Sequence, residues 1–540
     1  MTAPPTTFNL IDEPWIRVRT LSGDVEDRSL RSVLDDAASI RSLAGEIPTQ
    51  DAAVLRVLLA VLLASVRGDD RPSDDEALDL WLDWARAETF PDAVDAYLDR
   101  VRPRFDLVDA EAPFFQVAGL TTASGRTSGL GKLIAEVPDG EPYFTTRSGR
   151  EVESLSLAEA ARWLVHCQAF DPSGIKTGAV GDDRVKGGKG YPFGYPAWAG
   201  NLGLVIMEGA SLFETLLYNL PLVWSGPDDL PQWERPPVGP GIDVTHPAPR
   251  GPADLFTWPS RRLRLILAGD RVVDVQISNG DKLGPQNKHP FEPMTAWRYS
   301  KNQSSKTEQV LMPVMHVASR RIWQGLGALL VPGATDAPAI KPRTVEWLEM
   351  LRWHELLDPS RIIDLRIVGF EYGTQNSTID VGIDDRIAAP VAALTDQILA
   401  AAAVNATERA SRGVVALANL ASNLDRAAGG EGEAPRQATF ERGYTLLDAP
   451  YRRWIRTLDD PVEAEARLDT WSIEASDILR RAGDDLVLGA GPAARTGREV
   501  NKPGNDAREL VDAGLADIWF RAALNKALPR PTNNPEETTK

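Results

Sequence analysis

Cysteine and histidine are scarce in this sequence. Its 540 residues include one cysteine, Cys167, and five histidines. A single thiol excludes an internal disulfide and any zinc site built from a cysteine cluster, and it is typical of a protein in a reducing cytoplasm. The histidines also lack metal-ligand spacing such as HxxxH: they are His166, His246, His289, His316 and His354. We therefore expect no metal and no other cofactor.

Catalytic motifs are equally scarce. The sequence has no GxSxG, no HExxH and no acid pair in a convincing frame. Neighbouring residues on a helix point to different faces, so His166 and Cys167 do not form a nucleophilic pair. A binding protein is favoured over an enzyme, although a nucleic-acid-modifying enzyme stays open as an alternative.

The chain has no net positive charge, because 77 acidic residues outnumber 59 basic ones and the formal net charge is −18. This excludes a surface that is basic all over, but a local basic groove can still bind nucleic acid. The first residues lack a basic segment followed by an apolar run, so no signal peptide is expected and the protein is predicted to be cytoplasmic. The most apolar run, Val57–Val66, is too short to span a bilayer. It predicts a buried helix that begins near Thr49–Asp51.

Hydrophobic residues make up 43% of the chain, and this composition indicates an ordinary soluble globular protein with several domains. The first part mixes short strands and helices, including a buried strand at Ala112–Leu120 and a helix at Leu157–Gln168. From about Ala388 the pattern becomes helical, with four long helices separated by glycine and proline breaks. We predict an α+β fold with a mixed α/β domain at 1–387, a four-helix bundle at 388–530 and a disordered tail at 531–540.

A polar hairpin tip is the first candidate site. The segment FEYGTQNSTID, residues 370–380, lies between two strand-like stretches, and Gly373 permits a sharp turn. The tip carries Gln375 and Asn376, whose uncharged amides both donate and accept hydrogen bonds. Such a tip could address base edges or enter a base stack, whereas the plain alternative is an ordinary polar hairpin.

A glycine-rich segment, residues 174–190, is the second candidate. It contains six glycines interleaved with four basic residues, among them Lys176. Glycine lets a backbone approach a ligand closely, and basic side chains can reach phosphates. The spacing fits neither a P-loop nor a dinucleotide fingerprint, so a nucleotide cofactor is not predicted. A flexible surface loop is the alternative.

A basic stretch with aromatic residues is the third candidate. Arg261, Arg262 and Arg264 lie in a predicted strand, and residues 279–306 add positive charge that includes Lys282 and Lys288. Basic residues interleaved with aromatic ones are typical of nucleic-acid surfaces. The alternative is a solvated loop face.

Five segments, in this order along the chain, resemble the CasA family, the large subunits of type I-E CRISPR Cascade surveillance complexes. They are FNLIDEPWIRV at 8–18, APFFQV at 112–117, GPADLFTWPSRRLRL at 251–265, FEYGTQNSTID at 370–380 and ERGYTLLDAPYRRWI at 441–455. The resemblance covers nearly the whole chain and implies a mixed α/β domain followed by a four-helix bundle. Some members carry a cysteine cluster, which this sequence lacks, so the resemblance implies no metal.

The resemblance also implies a role for each candidate site. Guide RNA pairing reads the target, while this subunit reads a short flanking motif (the PAM) from the minor groove and starts duplex opening. The family wedge corresponds to Gln375 and Asn376, and its lysine finger to Lys282, with Lys288 second. The family also has an aromatic anchor near the 5′ end of the guide RNA, which corresponds to Phe144. The family glycine loop corresponds to Gly174, Lys176, Gly178, Gly187 and Gly188.

The implied partners are double-stranded target DNA, crRNA-bound Cascade subunits and a recruited helicase–nuclease, with no membrane. The bundle is expected to help hold the displaced strand, and no bond is broken by this subunit. An assembly scaffold without direct DNA reading stays open beside the enzyme alternative.

Overall fold

The computed structural model describes residues 7–137, 147, 153–190, 195–220, 222–331, 338–501 and 508–530. The chain divides into two compact units. The first comprises Met1–Ile322, Pro332–Leu356 and Ile363–Arg386, and the second comprises Trp323–Val331, Leu357–Ile362 and Ile387–Lys540. The tail predicted to be disordered, 531–540, lies outside the described residues.

Helices and short strands alternate through the first unit, and long helices dominate the second. In chain order the helices are α1 (Leu30–Asp35), α2 (Pro48–Ser65), α3 (Asp74–Ala87), α4 (Asp92–Val101), α5 (Leu157–Phe170), α6 (Leu212–Tyr218), α7 (Pro252–Phe256), α8 (Leu326–Leu330), α9 (Arg343–Trp353), α10 (Val391–Thr395), α11 (Gln397–Ala428), α12 (Glu433–Ile455), α13 (Ala464–Leu488), α14 (Pro492–Thr496) and α15 (Ala513–Ala527). The predicted helix at Leu157–Gln168 is confirmed as α5.

The strands form small sheets rather than one large sheet. In chain order they are β1 (Ile16–Thr20), β2 (Val25–Arg28), β3 (Ile40–Leu43), β4 (Leu155–Ser156), β5 (Leu204–Glu208), β6 (Arg261–Ala268), β7 (Arg271–Asn279), β8 (Trp297–Tyr299), β9 (Leu311–Pro313), β10 (Ala339–Ile340), β11 (Ile362–Tyr372), β12 (Ile379–Pro390), β13 (Arg498–Asn501) and β14 (Arg508–Val511). The sheet orders are β2-β1-β3, β4-β7-β6, β12-β11-β5, β10-β8-β9 and β13-β14.

Two of these sheets carry the candidate sites. Strands β6 and β7 pair antiparallel over their length, with Leu263 opposite Ile277. Strand β11 pairs antiparallel with β5, with Leu365 opposite Met207, and its centre is buried. The end of β7 and the tip that joins β11 to β12 are therefore held by rigid supports.

Helix α2 is the central apolar element of the first unit. By length and composition it could cross a membrane, but 83% of its residues are buried inside the protein. Pro48 occupies its first turn together with Asp51, which suits the amino-terminal end of a helix. Its one central charge, Arg56, forms an ion pair with Glu292 at 2.8 Å, and both side chains are buried. The predicted buried helix is confirmed.

The second unit contains the predicted bundle. Helices α11, α12, α13 and α15 pack together, with α11 in contact with each of the other three. Helix α11 begins at the side-chain cap of Asp396 and ends at Gly429, which has a left-handed conformation. Together with the mixed first unit, this bundle confirms the predicted α+β fold.

One predicted strand is wrong. Residues 112–120 form turns instead of a strand. Phe114 and Phe115 are nevertheless buried, because their rings stack on each other with centroids 4.2 Å apart and Phe114 also stacks on Phe105. Aromatic packing, not strand pairing, accounts for the apolar run.

Candidate nucleic-acid interface

The polar tip between β11 and β12 is a tight, exposed turn. The Gly373 N–H donates to the Thr378 carbonyl at 3.0 Å and closes the turn. A Cβ at Gly373 would lie 2.4 Å from the Thr378 hydroxyl oxygen, so a larger residue there would displace the Thr378 side chain. All five residues from Thr374 to Thr378 are exposed. The amides of the tip are therefore free to meet a ligand on a stiff support.

Gln375 and Asn376 both have left-handed backbone conformations, with φ values of 57° and 54°. Asparagine tolerates this region better than glutamine, and neither adopts it without cost. The backbone amide of Ser173 donates to the Asn376 carbonyl at 2.8 Å, and the Ser173 hydroxyl donates to the Gln375 carbonyl at 2.6 Å. These bonds bring the glycine-rich segment and the hairpin tip together.

The glycine-rich segment ends in a small hairpin of its own. The backbone amides of Lys186 and Lys189 donate to each other's carbonyls at 3.0 and 3.1 Å. Between them Gly187 and Gly188 have φ values of 57° and 76°, as a two-residue type I′ turn requires. No described atom lies within 4 Å of the Cβ position at either glycine. This turn has open space in front of it.

The other two glycines of the prediction face protein. A Cβ at Gly178 would lie 2.6 Å from a methyl group of Val185, so this glycine permits close internal packing. Gly174 has a φ of 125°, which disfavours any other residue, and its Cβ position lies 3.9 Å from Ser377 of the tip. Both glycines shape the segment itself.

Lys176 is placed differently from the prediction. Its ammonium lies 2.6 Å from the Asp171 carboxylate, and only 10% of the side chain is exposed. Arg261 binds the same carboxylate. Burial alone would raise the pKa of Asp171, but the charges of Lys176 and Arg261 hold it below its usual range. Burial lowers the pKa of Lys176. This lysine is engaged inside the protein, in the ion pair with Asp171.

Lys282 is exposed just beyond the end of β7. Its ammonium lies 4.5 Å from the centroid of the Tyr195 ring, a cation–π contact. The residue before it, Asp281, is fixed by Arg262 at 2.8 Å. Lys288 is only partly exposed, its ammonium donates to the Gln286 carbonyl at 3.4 Å, and burial lowers its pKa. Of the two lysines, Lys282 is the more exposed and is therefore the better placed to contact a ligand.

Hydrogen bonds join the end of β7 to the glycine-rich segment. The Asn279 side-chain amide donates to the Gly190 carbonyl at 3.1 Å, and Arg184 donates to the Gly280 carbonyl at 3.3 Å. The tip, the glycine turn and Lys282 are thus connected through the residues between 173 and 190.

Comparison with known proteins identifies the family. The family model of CRISPR-associated protein Cse1 (CRISPR_cse1) matches residues 9–482. This chain belongs to that family. The resemblance to the CasA family seen in the sequence is thereby confirmed, since a relative from Thermus thermophilus carries both names as CRISPR-associated protein CasA/Cse1.

This chain is similar to several Cse1 proteins in sequence and structure. The Thermus relative is 32% identical over 330 residues, a match that spans 60% of this chain and 60% of that protein. The crystal structure of Thermobifida fusca Cse1 is 41% identical, with a TM-score of 0.87 over 97% of this chain and 98% of that one. The Cse1 of Acidimicrobium ferrooxidans is 30% identical, with a TM-score of 0.78 over 97% and 99% of the two chains. A chain from a CRISPR RNA-guided surveillance complex shares the fold, with 21% identity, a TM-score of 0.63 and coverage of 89% and 100%.

Two arginines of the basic stretch in this Cse1-family chain are not surface residues. Arg261 is 5% exposed and bound to Asp171, and Arg262 is fully buried against Asp281. The prediction that they contribute to a nucleic-acid surface is wrong, because both satisfy buried carboxylates. Trp297, an aromatic residue of the same stretch, is also buried. Phe144 lies outside the described residues.

A cavity of about 270 Å³ lies beside the tip of this Cse1-family chain. Its walls include His166, Cys167, Ser173 and Ser377. Burial lowers the pKa of His166 to about 3 and raises that of Cys167, which favours a neutral imidazole and a protonated thiol at neutral pH. Among the described residues no group of three His, Cys, Asp or Glu side chains could hold a metal ion.

Sequence reasoning missed Ser173 and Tyr372. The Tyr372 hydroxyl donates to the Phe170 carbonyl at 2.6 Å and ties the stem of the hairpin to the end of α5. Both contacts join residues 202 positions apart, so the pattern around either residue carries no signal for them.

Proposed function

We propose that this protein is the non-catalytic DNA-recognition subunit of a CRISPR RNA-guided surveillance complex that works in the cytoplasm in antiviral defence. It recognises the PAM of double-stranded target DNA from the minor groove, wedges the duplex open to start R-loop formation and helps to recruit a helicase–nuclease. The observation that carries the proposal is the exposed Gln375–Asn376 pair, held on a stiff hairpin that is bonded to a glycine segment.

The wedge role suits the chemistry of the tip. An uncharged tip can enter a base stack because it forms no ion pairs with the phosphates. Its amides can replace hydrogen bonds that the bases lose. Inserting a wedge costs a few kcal/mol per base step, which contacts along the groove offset. Because the backbone of the tip is fixed from below, little further ordering is needed when DNA binds.

Lys282 and the glycine turn fit a reader of the minor groove. This groove presents mainly acceptors, pyrimidine O2 and purine N3, which an ammonium can contact. Gly187 and Gly188 present open backbone, so they can approach the sugar–phosphate chain closely. Such a reader distinguishes few base-pair patterns beyond A·T against G·C and therefore accepts several motifs. Lys288 is the second candidate for the finger.

Lys176, Gly174 and Gly178 take a different part in this proposal. Their contacts with Asp171, Ser377 and Val185 favour shaping the segment over touching DNA.

The proposed partners are crRNA-bound Cascade subunits, target duplex DNA and the helicase–nuclease. Two solved assemblies whose chains share this fold are described as CRISPR RNA-guided surveillance complexes. In our proposal Phe144 anchors the subunit near the guide RNA, and the bundle helps to hold the displaced strand.

The test compares variants of the tip in the assembled complex. Gln375→Ala with Asn376→Ala should leave folding intact and block opening of a matched duplex with a good PAM, while binding to a pre-melted target persists. Gln375→Gly with Asn376→Gly removes the same side chains without strain in the left-handed region and should behave alike. Opening is followed by reactivity of the displaced strand toward a single-strand probe.

Thr374→Ala is the matched control, because it shortens an exposed side chain of the same tip that is not an amide. It should open the duplex like the wild type. If both double variants open the duplex normally, the tip is an ordinary surface and the scaffold alternative takes the place of this proposal. Turnover of nucleic acid by the isolated chain would favour the enzyme alternative.

A further inference from the structure

Ser173 contacts the backbone of both amide residues of the tip. Its backbone N–H donates to the Asn376 carbonyl at 2.8 Å and its hydroxyl to the Gln375 carbonyl at 2.6 Å. Ser173 is 7% exposed, whereas the side chains of Gln375 and Asn376 are exposed. One buried residue thus holds the two carbonyls from beneath and leaves the two amide side chains pointing elsewhere.

The two bonds compensate a strained backbone. Two consecutive non-glycine residues in the left-handed region cost free energy, and such strain persists only where the surroundings fix the conformation. The hairpin itself supplies the bond from the Asn376 N–H to the Gly373 carbonyl at 2.9 Å. The Gln375 carbonyl takes its bond from Ser173, on a different segment of the chain. Without the hydroxyl, the carbonyl of Gln375 loses that partner.

The support under Ser173 is rigid. The Asp171 carbonyl accepts from the Ala197 N–H at 2.8 Å, and the Asp171 carboxylate is bound by Lys176 and Arg261. Tyr372 bonds the Phe170 carbonyl at 2.6 Å. Residues 170–173 are therefore fixed to three other segments, and Ser173 carries two hydrogen bonds from them to the tip.

We propose that Ser173 is a positioning residue that joins the glycine-rich segment to the tip. When the glycine-rich segment contacts DNA, Ser173 holds the tip in the position from which it enters the base stack. The inference rests on the proposed function of the tip. It predicts that Ser173 acts on duplex opening through Gln375, although it does not touch DNA itself.

The first experiment replaces Ser173 by alanine in the assembled complex. Opening of a matched duplex should slow about tenfold, which corresponds to the loss of one partly buried hydrogen bond in the opening-competent tip. Binding to a pre-melted target should not change. Ser278→Ala is the matched control: its hydroxyl is also buried and donates to the Thr177 carbonyl of the same segment at 2.7 Å, with no bond to the tip. It should open DNA like the wild type.

A double-mutant cycle separates positioning from general damage. If Ser173 acts through the tip, adding Ser173→Ala to Gln375→Ala should slow opening no further than Gln375→Ala alone. If the two effects multiply, or if Ser173→Ala also weakens binding to the pre-melted target, the serine has a general structural role and the inference is wrong. Should Ser173→Ala fail to assemble, the isosteric Ser173→Cys, a much weaker donor, replaces it in the same cycle.

The outcomes also distinguish this inference from the proposed function. Normal opening by Ser173→Ala, together with blocked opening by the double alanine variant of the tip, overturns the inference alone. Normal opening by both variants overturns the proposed function and the inference with it.

Discussion

Asp51 is a carboxylate whose charge is costly at its position in the fold. It lies in the first turn of α2, accepts the Gly45 N–H at 2.7 Å and lines a cavity of about 430 Å³ together with Arg366 and Glu208. Burial raises its pKa from 3.8 to about 6, despite the opposing hydrogen bond from Gly45 and the charge of Arg366. The folded state therefore binds a proton that the unfolded state has already released.

This shift predicts a pH dependence of stability. Because the carboxyl pKa is raised in the folded state, the free energy of unfolding decreases as the pH rises from 3.8 to about 6, and it does not recover above that window. Asp51→Asn cannot ionise and keeps an acceptor for Gly45. Relative to the variant, the wild type should lose on the order of 1–2 kcal/mol of unfolding free energy across the window. This is less than the whole pKa shift implies, because solvent in the open cavity screens the charge of Asp51.

Urea unfolding on either side of the window measures this difference. The exposed Asp75, in the first turn of α3, provides the control for loss of an amino-terminal charge. An Asp75→Asn variant that changed the profile as much as Asp51→Asn would contradict the local explanation.

The sequence predicts which side chains are chemically suited to bind DNA. It does not predict which of them already form ion pairs inside the protein. Lys176 and Arg261 both satisfy Asp171, and Arg261 is 90 positions away from it. Local composition carries no record of such a partner. Gln375, Asn376 and Lys282 were placed on the surface because a turn or a strand end presents them, and local pattern does determine that.

At the scale of elements, the glycine turn at Gly187 and Gly188 has two separable explanations. Its positive φ values alone favour glycine or asparagine, whatever binds there. The open space in front of it matters only if a ligand backbone comes close.

Gly187→Asn distinguishes the two explanations. Asparagine adopts the left-handed conformation at little cost, so the melting temperature should change little. The new side chain should weaken duplex binding by the assembled complex about tenfold, as for one lost contact. Gly23→Asn is the matched control, since Gly23 has a φ of 98° and open space in the turn between β1 and β2. Wild-type binding by Gly187→Asn would mean that the glycines serve the turn alone.

Elements with a regular pattern were predicted from sequence, and irregular ones were not. The alternation around the tip predicted β11 and β12, and the helical period predicted α11, α12 and α13. The last of the four predicted helices is shorter than a helical pattern up to residue 530 suggests, because residues 508–511 pair as β14 with β13 and α15 begins after the Asp512 cap. That pairing depends on tertiary contacts, which override a local helical preference.

At the scale of the whole molecule, the chain crosses between its two units more than once. Trp323 belongs to the second unit, where its ring stacks on Tyr451 with centroids 4.7 Å apart and its indole N–H donates to Asp448 at 2.9 Å. The carbonyls of Pro359 and Arg361 accept backbone bonds from the start of α10. The division at residue 388 stays a prediction, and these segments give a way to test it.

A fragment of residues 388–530 should be less stable than the same helices in the whole chain. It lacks Trp323, and Trp323→Ala in the whole chain should cost about 3–5 kcal/mol because it leaves a cavity against Tyr451. Thermal unfolding followed by circular dichroism measures both, and dye binding reports exposed apolar surface.

Trp353→Ala is the control for loss of a tryptophan, since that side chain is 80% exposed. A fragment that melted cooperatively at the temperature of the bundle in the whole chain would show that residues 388–530 form an independent domain.

The ion pair inside α2 has a consequence for synthesis. Glu292, which accepts two bonds from Arg56 and one from the Trp198 indole, is made 236 residues after Arg56. Until Glu292 has been made, the nascent chain contains the apolar segment of α2 without the partner of Arg56. An arginine at the centre of such a helix opposes insertion by a translocon by about 2.5–3.5 kcal/mol. The arginine that pairs with Glu292 in the finished fold therefore also disfavours membrane insertion of α2 before Glu292 has been made.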